Sequence, residues 1–263
     1  MAQTMHSFRS CVVRPRFVWL GDSFQENISI RVSRDGKITE IGEGLEAGEG
    51  ERVEALEGET LYQRGGFLSP PLEEAQKRFV SDFDDLIRSV EKLDEIAGER
   101  ASIAVAAHSL RAVDEATTRR LWDWAREAGR PFHIHLEEQP KEISDCISST
   151  SFSPSHWLLA MGVDGGATAV HCTYTEREKM EEMAERGVNI SICPCTEGYL
   201  GDGVPSIDEN THICLGTDCN NRIGFLEEMR WTAFSQMAKH NSRVVASLTA
   251  RRLLSAATVN GAK

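Results

Sequence analysis

Five short, apolar, β-prone segments recur from about residue 103 onward, and their spacing constrains the fold more than any other feature of the chain. Their carboxyl ends fall near residues 108, 135, 171, 193 and 218, and a helical pattern or a long loop follows each of them. This alternation predicts a parallel sheet with helices packed outside it. We therefore expect an α/β fold of the (β/α) barrel type, although a barrel needs eight strands and five are legible here.

The predicted elements of this region follow from hydrophobic periodicity and from cap residues. Strands are predicted at 103–107, 132–136, 167–171, 188–193 and 213–216, and helices at about 83–96, 115–128, 225–239 and 243–257. Ser153-Pro154 predicts one further helix start, and Thr175 with Glu178 predicts a capping box for another helix.

The amino-terminal region has a different pattern. Strands are predicted at 17–20, 28–32 and 37–41, with turn signals at Gly21-Asp22 and Asp35-Gly36. Residues 42–59 are rich in Gly and Glu and predict a loop or linker. We expect a small β domain over residues 1–59 and the partial barrel over residues 60–263.

Charge and cysteine content exclude several classes of protein. Lys and Arg number 29 and Asp and Glu 41, a net charge of −12, which argues against a nucleic-acid partner. No run of about 18 apolar residues is present, so we expect no membrane partner. No secretory signal is legible and the seven cysteines form no CxxC pair, which predicts a reduced, cytoplasmic protein. Cys193 and Cys195 are interpreted as structural, because a structural zinc site needs four ligands.

Polar side chains with catalytic potential follow the predicted strands. His133 and His135 share one face of a strand, and either is a metal ligand or a packed core histidine. Glu138 lies just past that strand, where it either moves protons or is a solvated carboxylate beside Glu137 and Glu142.

The other strand ends carry equally ambiguous groups. His171 is either functional or a hydrogen-bonded core histidine, and Asp218 either binds a metal or caps a loop. His108 and Arg111 suit an anionic substrate, although Arg111 has Asp114 as an alternative partner. Together, imidazoles and carboxylates on successive strand ends predict one divalent metal, Zn²⁺ or a similar ion, and metal-assisted hydrolysis at a polar carbon.

The residues around these positions resemble the amidohydrolase superfamily and, more narrowly, its formimidoylglutamate deiminases of histidine degradation. The matching stretches are LYQRGGF (61–67), QKRFV (76–80), AAHSLRAV (106–113), PFHIHLEEQPKEISDC (131–146), VHCTYTEREKMEEMAERG (170–187), CTEGYLGDG (195–203) and LGTDCNNRIGFLEEMRW (215–231).

This resemblance implies a zinc-dependent deiminase that acts on a small-molecule substrate. The zinc would be held by His135 on the fifth barrel strand and Asp218 on the eighth. Glu138 would be the general acid/base, His171 would lie beside the activated water, and Asp218 would also accept a proton from it. His108 and Arg111 would bind the glutamyl part of formimino-glutamate, which would become formyl-glutamate with release of ammonia.

The chain also departs from the family pattern. The family's first strand ends in a His-x-His pair that supplies two zinc ligands, and no counterpart occurs here. We expect about strands four to eight of the barrel, a remnant of the small β-sandwich domain, and a truncated or alternatively spliced product or faulty gene model. Such a chain is expected to have unpaired sheet edges, exposed apolar inner faces, loose metal binding and impaired activity.

Three functions remain open at this point. The first is the deiminase, and the second is an inactive chain that associates with a full-length subunit. The third is a deaminase of a purine or thio-adenosine, which Arg111 disfavours because a guanidinium suits a dicarboxylate better than a neutral base. By resemblance, a homodimer is the expected assembly.

Overall fold

The chain divides into two compact units, Met1–Gly58 and Glu59–Lys263, which are described separately. The computed structural model describes residues 11–15, 17–19, 24–33, 37–48, 52–56, 60–67, 70–77, 79–97, 103–219 and 222–261.

The first unit consists of β-strands over its described residues. The strands are β1 (Cys11–Pro15), β2 (Phe17–Trp19), β3 (Phe24–Glu26), β4 (Ile28–Val32), β5 (Ile38–Glu43) and β6 (Arg52–Leu56). Four of them form a sheet in the order β5-β4-β1-β6, in which only the β1–β6 pair is parallel, while β2 and β3 form a separate antiparallel pair. The prediction of a loop over residues 42–59 is wrong at β6, and the predicted turns at Gly21-Asp22 and Asp35-Gly36 lie outside the described residues.

The second unit contains the five-stranded parallel sheet that the spacing predicted. Its strands are β7 (Val105–Ala107), β8 (Phe132–Leu136), β9 (Ala167–His171), β10 (Asn189–Ile192) and β11 (Ile213–Leu215). They lie side by side in chain order, β11-β10-β9-β8-β7, and every neighbouring pair is parallel. Since parallel strands all run the same way, their carboxyl ends share one edge of the sheet.

Helices follow most of these strands. They are α1 (Glu74–Lys77), α2 (Phe83–Ala97), α3 (Glu115–Glu127), α4 (Pro140–Thr150), α5 (Pro154–Ala160), α6 (Arg177–Glu185), α7 (Pro194–Leu200), α8 (Phe225–His240) and α9 (Ala250–Ala256). Helices α1, α4 and α7 were not predicted, and the helix expected over 243–257 is shorter because it begins only at Ala250.

Cap residues explain where several helices begin. Ser153 accepts a hydrogen bond from the backbone of His156 at the start of α5, which confirms the predicted cap. The capping box at Thr175 is wrong. Helix α6 begins at Arg177 with Glu176 as its N-cap residue, and Thr175 caps no backbone N–H of this helix among the described residues. Asp114 caps α3 by accepting from Thr117, so it is engaged there rather than with Arg111.

The core lies between the helices and the outward face of the sheet. On β8 the outward side chains Phe132, Ile134 and Leu136 are fully buried, and the Trp122 ring of α3 packs edge-on against Phe132 with centroids 5.8 Å apart. The opposite face of the sheet is only partly covered. Its half-buried side chains include Ala106, His133, His135, Val170, Asn189 and Ser191. The expectation of an apolar inner face is therefore wrong, because most of these side chains are polar.

The sheet does not close into a barrel among the described residues, and some backbone groups at each of its edges have partners. Leu61 extends the β7 edge through hydrogen bonds with Ala106 and His108. At the β11 edge, the Asn260 side chain donates to the carbonyl of Ile213 at 2.8 Å. The expectation of unpaired edges is therefore wrong for these backbone groups, which hydrogen-bond to Leu61 and to Asn260. None of the described helices is long and apolar enough to cross a membrane.

Candidate metal centre

The carboxyl edge of the sheet gathers the predicted site residues. His135 lies within β8, His171 ends β9, and Asp218 follows β11. The backbone is left-handed at Glu137, His171, Cys172 and Asp218, with φ between 49° and 74°. Non-glycine residues rarely adopt this conformation, and such positions cluster at functional sites because the surrounding structure must hold them there.

Three potential metal ligands converge at this edge. One donor atom each from His135, His171 and Asp218 lies within 4.8 Å of the other two, and His135 Nε2 is 3.6 Å from Asp218 Oδ1. The hydrogen bond with His135 lowers the pKa of Asp218 despite partial burial. Two imidazole nitrogens and one carboxylate oxygen form the type of three-ligand set that catalytic zinc uses. The donor set therefore suits a divalent metal.

The second nitrogen of each imidazole is already engaged. His135 Nδ1 lies 2.6 Å from the carbonyl oxygen of His108, and His171 Nδ1 lies 3.3 Å from Glu197 Oε1. With Nδ1 donating in both rings, each Nε2 would direct its lone pair at a bound metal, which is the orienting arrangement common around metal-bound histidines.

His171 has an unusual electrostatic environment. Its side chain is 1% exposed, and burial alone would lower its pKa. The Glu197 hydrogen bond and the negative charges of Glu138, Glu197 and Asp218 outweigh that effect, so the pKa of His171 is raised. The pocket therefore favours positive charge at this imidazole, as it would favour a cation beside it.

Glu138 lies at the centre of the site and bonds to Arg111. Arg111 Nη2 donates to Glu138 Oε2 at 2.8 Å, and Glu138 Oε1 is 3.9 Å from His171 Nε2. Burial raises the pKa of Glu138, but the positive charges of His171 and Arg111 lower it further, so the net shift is downward and the group is ionised at neutral pH. The interpretation of Glu138 as a solvated surface carboxylate is wrong, because its side chain is 12% exposed.

His108 lies beside His135 at the rim of the site. Its ring is 4.9 Å from that of His135 and edge-on to Tyr62 at 5.0 Å. Burial and the neighbouring His135 lower the pKa of His108 to about 4, so the imidazole is neutral at pH 7. It can therefore hydrogen-bond a ligand but brings no positive charge to an anion.

Comparison with known proteins fits this geometry. The sequence profile of the Amidohydrolase family matches residues 36–263. The chain belongs to the amidohydrolase family. It is 30% identical over 224 residues to the formimidoylglutamate deiminase of Pseudomonas aeruginosa, covering 82% of this chain and 46% of that protein. It is 28% identical over 206 residues to the 5-methylthioadenosine/S-adenosylhomocysteine deaminase of Natronomonas pharaonis, covering 75% of this chain and 47% of the relative.

Solved structures share the fold. An amidohydrolase from Brucella melitensis superposes with a TM-score of 0.69 at 21% identity, covering 95% of this chain and 82% of that chain. An adenosine deaminase from Xanthomonas campestris with bound zinc superposes with a TM-score of 0.64 at 18% identity, covering 97% and 79%. This amidohydrolase-family chain spans about half the length of the curated relatives it matches.

Four buried acidic residues near the candidate metal centre were not predicted from the sequence to belong to the site. Glu137 and Glu142 were named only as neighbours of Glu138, yet both are 2% exposed, and their oxygens accept from the backbone N–H groups of Ser155 and Glu138 respectively. Glu197 and Asp202 lie in a stretch that carried the family resemblance, but sequence alone assigned them no role. Their burial, 2% and 4% exposed, is the signal that only the structure supplies.

The cysteines near the centre are not nucleophiles. Burial raises the pKa of Cys172 well above its ordinary value and does the same for Cys193. Thiolate is the reactive form, so both side chains are inert at neutral pH. Cys193 and Cys195 belong to no potential metal cluster among the described residues.

Proposed function

We propose that this chain is a metal-dependent hydrolase of a C–N bond in an amidine, with N-formimidoyl-L-glutamate as substrate. The products are N-formyl-L-glutamate and ammonia, as the name of the Pseudomonas aeruginosa relative suggests. The observation that carries the proposal is the convergence of His135, His171 and Asp218 within 4.8 Å, with Glu138 beside them.

The proposed ligands of one divalent metal, taken as Zn²⁺, are His135 and Asp218, with His171 as the third. The sequence prediction placed His171 beside the water, but its distance to the other two donors equally suits a ligand. A metal bound there would lower the pKa of a water molecule to about 7 and polarise the amidine carbon.

The remaining steps belong to the side chains of the chain itself. Asp218 and the ionised Glu138 accept the protons of the attacking water. Glu138 then delivers a proton to the nitrogen that leaves as ammonia, which requires it to be unprotonated at the start, as its lowered pKa supports.

Arg111 and His108 are proposed to bind the substrate's carboxylates. The guanidinium has five N–H donors, so its bond to Glu138 leaves others for a ligand. Because His108 is neutral, its contribution is a hydrogen bond and Arg111 supplies the charge.

A deaminase of a 5-methylthioadenosine-type substrate is the second candidate. The Natronomonas pharaonis relative, 28% identical over 75% of this chain, favours it. A neutral purine offers no carboxylate to the N–H donors of Arg111 that its bond to Glu138 leaves over, so the amidine with two carboxylates is the better match.

We further propose that the activity is weak and that the chain forms a homodimer in the cytoplasm. A first-strand His-x-His pair has no counterpart in the sequence, so fewer ligands hold the metal than the resemblance implies. The exposed side of α8 is apolar, with Leu226 and Phe234 66% and 63% exposed, and supports self-association. Residues 1–59 are proposed to be a remnant of a small β-sandwich domain.

The test is an assay of the purified full chain loaded with zinc. Ammonia release is measured with N-formimidoyl-L-glutamate, 5-methylthioadenosine and adenosine as substrates, with Glu138→Gln as the inactive control and Glu127→Gln on α3 as the matched variant outside the site. Slow release from the amidine alone, abolished in E138Q, is expected. Release from the nucleosides alone would select the second candidate, and no release above E138Q from any substrate would contradict both.

A further inference from the structure

Asp202 is a buried carboxylate that the proposed reaction does not use. It follows α7, is 4% exposed, and its Oδ1 accepts a hydrogen bond from Gln139 Nε2 at 2.9 Å. Its Oδ2 is buried and receives no donor from the part of the chain that the structure describes. Burying a carboxylate oxygen without a donor is costly, so this position is suited to a ligand that brings one.

The loop around Asp202 is held in place from several sides. The Asp202 backbone N–H donates to the carbonyl of Glu197 at 2.9 Å. Gly201 and Gly203 on either side have φ of 75° and 123°, values that glycine adopts without strain. A Cβ on Gly203 would lie 3.0 Å from the Tyr174 hydroxyl, which shows how closely the loop packs. The Asp202 carboxylate is therefore preorganised rather than free to rotate towards solvent.

Burial, and after it the negative charge of nearby Glu138, raises the pKa of Asp202. Arg111 neutralises Glu138 by its bond to Oε2, while Asp202 has the neutral amide of Gln139 as its hydrogen-bond donor. Two adjacent carboxylates repel each other when both are ionised, and a cation that reaches both relieves the repulsion. Of the two carboxylates, Glu138 has a cationic hydrogen-bond donor, whereas the donor to Asp202 is neutral.

We infer that Asp202, together with Glu138, binds the cationic amidinium end of the substrate, an inference that rests on the proposed function. A formamidine group is strongly basic and carries a positive charge at neutral pH. Its planar N–H donors match carboxylate oxygens in the way a guanidinium does. The neutral formyl group of the product offers no such charge, so Asp202 selects amidine substrates over amides and favours release of the product.

Binding measurements on the full chain test this without requiring turnover. Titration calorimetry compares N-formimidoyl-L-glutamate with N-formyl-L-glutamate in a buffer that contains a chelator. The wild-type chain is expected to prefer the amidinium ligand by at least about tenfold, the size of one charged hydrogen bond. Asp202→Asn keeps an acceptor for Gln139 and should lose this preference, with the affinity for the formyl ligand unchanged.

The control and the outcomes separate this inference from the proposed function. Asp85→Asn removes the same charge from an exposed position on α2 and should behave as wild type. Equal wild-type affinity for the two ligands, or an equal loss for both in a folded D202N, overturns the role of Asp202 while the proposed function stands. If neither ligand binds the wild-type chain, both fail. Should D202N not fold, as seen by circular dichroism, the wild-type preference alone decides.

Discussion

His135 Nε2 lies 3.6 Å from Asp218 Oδ1, although the strands that carry them, β8 and β11, are separated in the sheet by β9 and β10. In a flat sheet, strands three places apart would be about 14 Å from each other. The two side chains meet because the sheet curves across its strands, as in the wall of a barrel. The curvature that builds the site is thus present in an open sheet of five strands.

This relationship predicts that zinc affinity depends on His135 and not on its neighbour His133. Both histidines are half-buried on the same face of β8, but only His135 belongs to the group of potential ligands. His135→Asn should weaken zinc binding at least about 100-fold, since one of three protein ligands is lost. His133→Asn, the matched control, should bind as wild type in calorimetry. A similar loss in both variants would contradict the proposed centre.

Glu197 is predicted to position His171 for metal binding. Its Oε1 accepts from the backbone of Cys193 at 2.9 Å and lies 3.3 Å from His171 Nδ1, which fixes the tautomer with Nε2 free. Glu197→Gln should lower zinc affinity about 10- to 100-fold, the usual effect of losing an orienting partner.

His171→Asn distinguishes a ligand from a group that orients water. If His171 is a ligand, both H171N and E197Q lose zinc in calorimetry, whereas a water-orienting role leaves zinc affinity intact in both and reduces turnover alone. If zinc affinity falls in H171N but is unchanged in E197Q, then Glu197 does not position His171.

The strands and their site residues were predictable because parallel strands place their carboxyl ends together. The bounds Phe132–Leu136 and Ala167–His171 match the prediction residue for residue, since each is a short β-prone segment that follows a glycine turn signal, Gly129 before the first and Gly165-Gly166 before the second. Helix α4 was missed although Ile143, Cys146 and Ile147 have helical spacing, because the segment is short and its end is rich in Ser and Thr, which form helices poorly. Helix α7 was missed because its turn buries Thr196 and Glu197, which are polar.

The partners of the site residues were less predictable than the residues themselves. Arg111 was expected at a substrate carboxylate or at Asp114, and the structure instead bonds it to Glu138. Such a contact joins two strand-end loops, so it depends on how the sheet curves and leaves no local pattern. The burial of carboxylates such as Glu142 is equally hard to predict from the sequence, because a charged residue ordinarily indicates a surface position.

Because Glu142 is a buried carboxyl group, we expect the stability of the protein to fall as the pH rises. Burial raises the pKa of Glu142 from 4.5 to about 7, against the opposing effect of Arg111. The folded state therefore holds this proton more tightly than the unfolded state. The resulting stability is fully present below about pH 4.5 and is lost as the pH rises through about 7, by up to about 3 kcal/mol.

The measurement is the free energy of unfolding in urea at pH 5 and at pH 8. Glu142→Gln removes the titration, so its stability relative to wild type should rise between the two pH values. Glu95→Gln, on the exposed side of α2, is the control and should show no such rise. A constant difference between E142Q and wild type would show that the carboxyl does not titrate in this range.

The exposed apolar side chains of helix α8 lead us to expect that the chain self-associates. Its buried face carries Glu228, Thr232 and Gln236, each at most 1% exposed, whereas Leu226 and Phe234 lie on the solvent side. Trp231 on that side is 47% exposed, and its ring lies against Gly198 of α7, next to the exposed Tyr199. We expect this patch, Tyr199, Leu226, Trp231 and Phe234, to form an isologous contact of about 800 Å² per partner, the usual size of a stable interface.

Sedimentation equilibrium of the full chain checks this expectation. Wild type should be dimeric, and a double variant Leu226→Glu with Phe234→Glu should be monomeric because four carboxylates would meet across the two-fold axis. Ile147→Glu, an equally drastic change at a 47% exposed position on α4, is the control and should remain dimeric. A monomeric wild type over a wide range of concentration, or dissociation caused equally by I147E, would contradict an interface on α8.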